Sequence, residues 1–141
     1  MEVVHNFLPK EVHQKIKSVL CNLDEFSYVN FPWYLSRNVA STDSNNNNEF
    51  YMYHPFYWDH APTSEWFDEL VVPLVNQLQP KSLMRVKANL YPSTKTILEH
   101  DPHIDDDFSH KGAVYFVNTN DGYTTTNDNI KVPSVENSVL L

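Results

Sequence analysis

The stretch Leu-Met-Arg-Val-Lys-Ala-Asn-Leu-Tyr, residues 83–91, decides the fold. Its apolar and polar side chains alternate without a break: Met84, Val86, Ala88 and Leu90 against Arg85, Lys87, Asn89 and Tyr91. Successive side chains of a β-strand point to opposite faces, so the pattern predicts a strand with one apolar face and one hydrogen-bonding face. The hydrogen-bonding face either meets solvent or lines a polar pocket, and this stretch alone leaves both interpretations open.

The regions on either side of this strand differ in their periodicity. Residues 83–141 keep a period close to two, with Pro, Asn, Asp and Gly between the runs, which indicates consecutive strands. Residues 8–23 and 64–79 have apolar residues at steps of three and four, which predicts two helices. Ser64 is a candidate N-cap of the second helix, and Pro73 should kink or split it. We therefore expect the α+β class, with helices first and an antiparallel sheet system second.

Residues 50–58 are unusually aromatic. Six of these nine positions are Phe, Tyr or Trp: Phe50, Tyr51, Tyr53, Phe56, Tyr57 and Trp58. Large rings of this kind usually form part of a core, because aromatic side chains dominate burial in small domains. The alternative is that they form the wall of a substrate cleft.

The composition limits the size and class of the protein. A chain of 141 residues corresponds to one domain, 1–141, here divided into a helical and loop support region, 1–80, and a sheet region, 81–141. Its 10 Lys and Arg against 18 Asp and Glu make a nucleic-acid partner unlikely. The sequence has no apolar run long enough for a membrane span and no signal-peptide pattern at its start. The single cysteine, Cys21, excludes an internal disulfide and favours a reducing, cytoplasmic location.

The segment His103-Ile104-Asp105 is the clearest candidate for chemistry. On an extended backbone His103 and Asp105 lie on one face, and Ile104 points away. An imidazole and a carboxylate are two of the three ligands of a 2-His-1-carboxylate iron(II) site. The tripeptide is short and lies among other charged residues, so a solvated acidic turn is the simpler alternative. A zinc or manganese site of cupin type, formed by His100, His103 and Asp105, is a further one. The chain lacks the patterns of an EF-hand, of an H-E-x-x-H zinc protease and of a Ser or Cys nucleophile.

The order of segments along residues 83–141 resembles that of a known family. The segments are Asn89-Leu-Tyr91, His103-Ile-Asp105, Ala113-Val-Tyr-Phe-Val-Asn118, Asp121-Gly-Tyr-Thr124, Val132-Pro133 and Asn137-Ser-Val-Leu-Leu141. This order is similar to that of the iron(II)- and 2-oxoglutarate-dependent dioxygenases, most closely their prolyl-4-hydroxylase-like and phage-type branch. The resemblance implies a double-stranded β-helix, a jelly-roll or cupin-like barrel, packed against N-terminal helices.

The same resemblance implies roles for individual residues. His103 and Asp105 would be the first two iron ligands, and Asn89 and Tyr91 would contact 2-oxoglutarate. Thr124 would lie near the cofactor or, in preference, in the packing of a hairpin similar to the family's Gly-Gly-x-Thr hairpin, with Asp121 in place of one glycine. The cofactors would be Fe(II) and 2-oxoglutarate, and the reaction a hydroxylation of a prolyl or other peptide side chain or of a small molecule.

Two features of the family are missing from the 141 residues. The family has a distal histidine shortly after a strand like the one that begins at Ser138, and a basic residue about ten positions later. No histidine follows His110. We therefore expect a fragment that lacks the third iron ligand, binds its cofactors weakly and is inactive. Its incomplete barrel would leave a sheet edge open, and a homodimer could form through that edge. The rival interpretation from a different class is a non-catalytic β-barrel module that binds a peptide or a protein.

Overall fold

The structure is a computed structural model, and it describes residues 1–21, 31–37, 50–103 and 107–141. The chain forms two compact units. We call Met1–Phe31 with Ser109–Leu141 the terminal unit, and Pro32–Phe108 the middle unit.

The described residues of the terminal unit form one helix and five short strands. They are β1 (Val3–His5), α1 (Lys10–Leu20), β6 (Val114–Phe116), β7 (Tyr123–Thr125), β8 (Lys131–Pro133) and β9 (Ser138–Leu140). Strands β1, β9 and β6 form an antiparallel sheet in that order, and β7 pairs with β8 in a separate hairpin.

Helix α1 is the first predicted helix, and it begins directly after Pro9. Proline suits this boundary because its fixed backbone angle is compatible with a helix start and its missing N–H needs no partner there. The apolar stripe of α1 buries Ile16 and Leu20. The last two positions of the predicted helix, 22 and 23, lie outside the described residues.

Strand β9 lies at the centre of the terminal sheet, between β1 and β6. All three of its residues are buried, and Leu140 packs with Phe116 and Val132 in a hydrophobic cluster that Val3 covers. Because β9 is paired on both sides, the outer strands of this sheet are β1 and β6. A dimer through an open edge of the sheet would have to use one of those two strands, and it remains a prediction.

The middle unit is arranged around one long strand. Its elements are β2 (Tyr34–Ser36), β3 (Tyr51–Trp58), β4 (Ala61–Pro62), a π-helical turn (Phe67–Val71), α2 (Val72–Leu78) and β5 (Val86–Leu90). Strand β3 pairs with β5 along one edge and with β2 and β4 along the other, always antiparallel. The aromatic segment is therefore the central strand of this sheet.

The second predicted helix is split, as its proline predicted. The chain forms the π-helical turn up to Val71 and continues as an α-helix from Val72, with Pro73 in the first turn of α2. Proline has no N–H for the helical ladder, so the wider turn absorbs the mismatch before it. Ser64 lies just before the turn, and its hydroxyl accepts a hydrogen bond from the Trp66 N–H at 3.1 Å.

Helices together with several antiparallel sheets confirm the α+β class. The order of elements differs from the expected one, because β1 to β4 precede the second helix. Among the described residues the sheets stay separate and do not close into a barrel. No helix in the described part of the chain has both the length and the apolar character that crossing a membrane requires.

Candidate functional site

Strand β5 presents the two residues that were predicted to contact 2-oxoglutarate. In its antiparallel pairing with β3, Asn89 lies opposite Tyr53. Tyr91 follows the last residue of β5, two positions after Asn89, so the strand period directs both side chains to the same face. Both residues are exposed, and they do not belong to the core of the middle unit. The alternation of residues 83–91 thus correctly predicted a strand, although it is shorter than expected.

A row of tyrosine rings covers this face of the sheet. The row consists of Tyr34, Tyr53, Tyr51 and Tyr91, and we call it the tyrosine row. Neighbouring ring centroids are 5.9, 6.2 and 5.5 Å apart. The two outer rings are half-exposed, at 50% for Tyr34 and 51% for Tyr91. The ammonium of Lys87 lies 5.8 Å from the centre of the Tyr51 ring, within the range of a cation–π contact.

The aromatic segment 50–58 is divided by the period of strand β3. His54 and Phe56 are buried, whereas Tyr51 and Tyr53 are partly exposed and belong to the tyrosine row. A single strand therefore supplies both a core and an accessible aromatic surface.

His54 holds this strand in place from the buried side. Its Nδ1 lies 2.7 Å from the Pro32 carbonyl oxygen, which can only accept, so Nδ1 donates this hydrogen bond. Its Nε2 then accepts from the Ser64 hydroxyl, also at 2.7 Å. The imidazole connects three parts of the middle unit and is fully engaged, which indicates a structural role.

The segment after β5 returns to the end of that strand. The His100 ring lies 5.5 Å from the Tyr91 ring, at an interplanar angle of 31°. His103 is exposed, and its Nδ1 is 3.3 Å from the Asp101 carbonyl oxygen. A carbonyl only accepts, so Nδ1 carries the hydrogen, and the lone pair of the neutral ring is on Nε2.

The predicted iron ligands are only partly represented in the structure. Asp105 lies outside the described residues. In the described ranges, no cluster of three or more His, Cys, Asp or Glu side chains is suited to hold a metal ion. His100 does present one orphaned group: its Nδ1 is buried and has no hydrogen-bond partner among the described residues.

Thr124 lies in the terminal unit, in the hairpin of β7 and β8, opposite Val132. The connection of this hairpin lies between Thr125 and Lys131, whereas Asp121 and Gly122 precede β7, so the likeness to the Gly-Gly-x-Thr hairpin stays a prediction. Gly122 precedes β7 in a tight turn, where its N–H donates to Asn120 Oδ1 at 2.8 Å. A Cβ atom at this position would come within 2.8 Å of the same oxygen, so a larger residue would have to displace the exposed Asn120 side chain and break this hydrogen bond. The other candidate residues, Asn89, Tyr91 and His103, belong to the middle unit.

Sequence reasoning did not find a small cavity at the other end of β5. Its volume is about 170 Å³, and its lining consists of Trp58, Asp59, His60, Met84, Arg85 and Phe108. Asp59 and His60 both have left-handed backbone angles, with φ of 49° and 64°. They form the two-residue turn between β3 and β4, a position that usually contains glycine or asparagine, and this substitution hid the hairpin from sequence reasoning.

Comparisons with known proteins do not place the chain in a family. No protein-family model matches it. No curated protein and no solved structure matches it either. The resemblance to the dioxygenases therefore depends on the residues named above and on their arrangement.

Proposed function

We propose that the chain contributes to the active site of an iron(II)- and 2-oxoglutarate-dependent hydroxylase with a double-stranded β-helix fold. In this proposal His103 and Asp105 hold the metal, and Asn89 and Tyr91 contact 2-oxoglutarate. The substrate would be a prolyl or other peptide side chain, or a small molecule. The proposal starts from the motif order of residues 83–141, and one structural observation adds to it.

That observation is the contact between the Tyr91 and His100 rings. His103 lies three residues beyond His100, a distance that the chain spans in at most about 11 Å. The contact therefore keeps the proposed metal ligand close to the strand end that presents the proposed 2-oxoglutarate contacts. A metal that binds 2-oxoglutarate requires its protein ligands to lie next to the residues that contact 2-oxoglutarate.

The histidines of this segment are chemically suited to a metal. Metal-binding histidines usually donate one ring N–H to a carbonyl or carboxylate and bind the ion through the other nitrogen. His103 has this arrangement, with Nδ1 donating to the Asp101 carbonyl. The orphaned Nδ1 of His100 is a second nitrogen for which a bound group could provide a partner.

Bound iron(II) would supply dioxygen activation: dioxygen is the oxidant, 2-oxoglutarate is oxidised to succinate and carbon dioxide, and the substrate is hydroxylated, while the protein binds and orients the reactants. The amide of Asn89 both donates and accepts hydrogen bonds, and the Tyr91 hydroxyl donates one to a carboxylate. Lys87, on the same strand face, adds positive charge beside a dianionic cosubstrate. The tyrosine row offers flat apolar surface that can cover the reactants and exclude water.

No histidine follows His110, so residues 111–141 supply no third imidazole ligand, and we expect weak metal binding.

Paramagnetic broadening by Mn²⁺ tests the metal site without requiring turnover. We expect Mn²⁺ to broaden the NMR signals of residues 100–107 first. Added 2-oxoglutarate should then tighten Mn²⁺ binding and extend the broadening to Asn89 and Tyr91. The variants His103→Ala and Asp105→Ala should each weaken the effect at least tenfold. The matched control His110→Ala removes an exposed histidine outside the motif and should leave it unchanged. Broadening that is the same in His103→Ala as in the parent chain would contradict the proposal.

The orphaned nitrogen of His100 favours one alternative, a cupin-like zinc or manganese protein with His100, His103 and Asp105 as ligands. The variant His100→Ala separates the two proposals. Loss of metal binding in this variant, without any effect of 2-oxoglutarate on the parent chain, would support the cupin-like site. A chain that binds neither metal nor 2-oxoglutarate would fit the non-catalytic binding module.

A further inference from the structure

The terminal unit contains a cavity of about 300 Å³ beside helix α1. Its lining consists of Lys10, His13, Gln14, Lys17 and Glu136. Adjacent His13 and Gln14 lie three and four positions after Lys10, and Lys17 follows them by four and three, which places all four on one side of the first two turns. None of these residues has a role in the hydroxylase proposal.

A chain of hydrogen bonds that ends at this cavity begins at Asn137. The Leu8 N–H donates to Asn137 Oδ1 at 2.9 Å, and Asn137 Nδ2 donates to the Leu8 carbonyl oxygen at 2.9 Å. These two backbone contacts fix the orientation of the amide. Oδ1 is the acceptor end of the side chain.

The orientation of Asn137 determines the tautomer of His13. The Tyr115 hydroxyl is 3.1 Å from Asn137 Oδ1 and must donate to it, because this oxygen has no hydrogen. The hydroxyl has only one hydrogen, so it accepts in its 2.7 Å contact with His13 Nδ1. The hydrogen of the neutral ring is therefore on Nδ1, and Nε2 carries a lone pair.

No residue in the described part of the chain donates a hydrogen bond to the lone pair on Nε2. The His13 side chain is 4% exposed, and Nε2 is buried without a hydrogen-bond partner among the described residues. Burial lowers the pKa of His13 below its ordinary value, Glu136 offsets part of this effect, and Lys17 lowers the pKa slightly further, which favours the neutral ring. A buried acceptor with no donor is costly, and a ligand hydroxyl or N–H would supply the missing donor.

The rim of the cavity carries positive charge and favours an anion, in contrast to the neutral acceptor of His13. Lys17 forms an ion pair with Glu136, whereas Lys10 forms no ion pair with any residue that the structure describes. Lys10 is also the first residue of α1, where the helix dipole adds partial positive charge, and Pro9 provides no side-chain cap. An anionic group is therefore favoured at the rim. His13, which also lines the cavity, carries the acceptor that lacks a donor, and this acceptor is covered until neighbouring side chains move aside.

We propose that this cavity binds a small α-hydroxy carboxylic acid. The carboxylate pairs with the Lys10 ammonium, and the neighbouring hydroxyl donates to His13 Nε2. Gln14 both donates and accepts, so it can bond to either group. A cavity of about 300 Å³ is at the small end of ligand sites, which suits a ligand of this size.

Glycolate and acetate provide the test, because they share a carboxylate and differ by the hydroxyl. Side-chain ¹⁵N NMR of the 141-residue chain should find the hydrogen of His13 on Nδ1 before any ligand is added. Glycolate should bind about tenfold more tightly than acetate, as one net hydrogen bond predicts, and it should shift the Nε2 signal. A hydrogen found on Nε2, equal affinities for the two acids, or no saturable binding of glycolate would each overturn the proposal.

Three variants assign the contributions of the two ends of the site. Lys10→Met should weaken both acids by a similar factor, because it removes the charge at the rim. Lys15→Met removes a charge from the same helix outside the cavity lining and should leave both affinities unchanged. Tyr115→Phe removes the acceptor for the Nδ1 hydrogen, so the two tautomers of His13 should mix and the preference for glycolate should decrease. A preference that survives Tyr115→Phe at full strength would show that the hydroxyl does not bind His13.

Discussion

The two units use their histidines and polar groups in opposite ways. In the terminal unit, His13, Tyr115 and Asn137 form a largely buried chain of hydrogen bonds that connects α1 to β6 and to the start of β9. In the middle unit, the candidate groups Asn89, Tyr91 and His103 are exposed, and their contacts include aromatic ring contacts of Tyr91 and one long hydrogen bond of His103. Buried polar networks mainly stabilise one structure, whereas exposed groups on a strand face are available to ligands. Mutations should therefore affect stability in the first region and binding in the second.

The largest loss of stability is expected from Asn137→Ala. Asn137 connects through its side chain to both backbone groups of Leu8, and through its backbone N–H and carbonyl to Phe116 and Phe7. Its φ is 55°, a left-handed conformation that alanine adopts with strain. The lost buried hydrogen bonds and the strain together predict a decrease of about 4 kcal/mol in the free energy of unfolding, measured by urea denaturation.

Asn129→Ala is the matched control for this change. Asn129 has nearly the same backbone angle, a φ of 56°, but its side chain is exposed. Asn129→Ala introduces the same backbone strain without removing a buried hydrogen-bond network. The free energy of unfolding should therefore decrease by only about 1 kcal/mol. Equal losses in the two variants would show that the side-chain network of Asn137 contributes little.

His54→Ala should have the next largest effect, and it is the corresponding change in the middle unit. It leaves the Pro32 carbonyl and the Ser64 hydroxyl without their imidazole partner and creates a cavity next to Phe56. We expect a loss of about 2–3 kcal/mol in urea denaturation. His110→Ala, which removes an exposed imidazole, should change stability by less than about 0.5 kcal/mol. If both variants unfolded at the same urea concentration, His54 would not hold the central strand.

The pH dependence of stability should separate the two units further. Burial lowers the pKa of His13 in the folded protein below its ordinary value of 6.5, so the unfolded chain binds more protons between these two pKa values. Stability should therefore decrease as the pH falls through 6.5 and continue to decrease until the folded protein also takes up the proton. The titratable groups near this ring include Lys17, Glu136 and Tyr115, and Lys10 shares the cavity lining with it. His13→Phe should flatten the change in urea midpoint between pH 7.5 and pH 5, and His110→Asn should not.

Glu136 contributes in a lower range of pH. Its hydrogen bond to Lys17 holds the pKa of the carboxyl below its ordinary value of 4.5, so its contribution is present above that value and disappears as the pH falls through the folded-state pKa. Glu136→Gln should not flatten the slope above pH 5, because Glu136 raises the pKa of His13 and its removal lowers that pKa further. If Glu136→Gln flattened the slope near pH 6, that part of the pH dependence would belong to Glu136 and not to His13.

The sequence predicted those parts of the fold that depend on neighbouring residues, and it did not predict the pairing of distant strands. The alternation at Val86, Ala88 and Leu90 predicted β5 and its two faces, and Pro73 predicted the interruption of the second helix, because both are local effects. The position of β9 between β1 and β6 depends on pairs such as Val4 with Val139, which local periodicity does not encode.

The same division between local and long-range features applies to the candidate site. Strand parity placed Asn89 and Tyr91 on one face, whereas the contact of Tyr91 with His100 depends on the path of the intervening loop. The left-handed angles of Asn137, Asp59 and His60 were also beyond sequence reasoning, because no glycine marks those positions.

The smallest effect on stability, and the most direct test of the middle unit, is expected from Tyr91→Leu. The variant removes the stacked contact with Tyr51 and the tilted ring contact with His100 but keeps an apolar side chain at an exposed position, so the loss should stay below about 1 kcal/mol. If the ring contact holds the segment 92–103 against β5, the variant should increase amide hydrogen exchange in that segment and weaken the Mn²⁺ effect there. Tyr34→Leu, at the opposite end of the tyrosine row, is the matched control and should change neither. Unaltered exchange in Tyr91→Leu would mean that the segment is held by other contacts, and the proximity argument for the hydroxylase site would then fail.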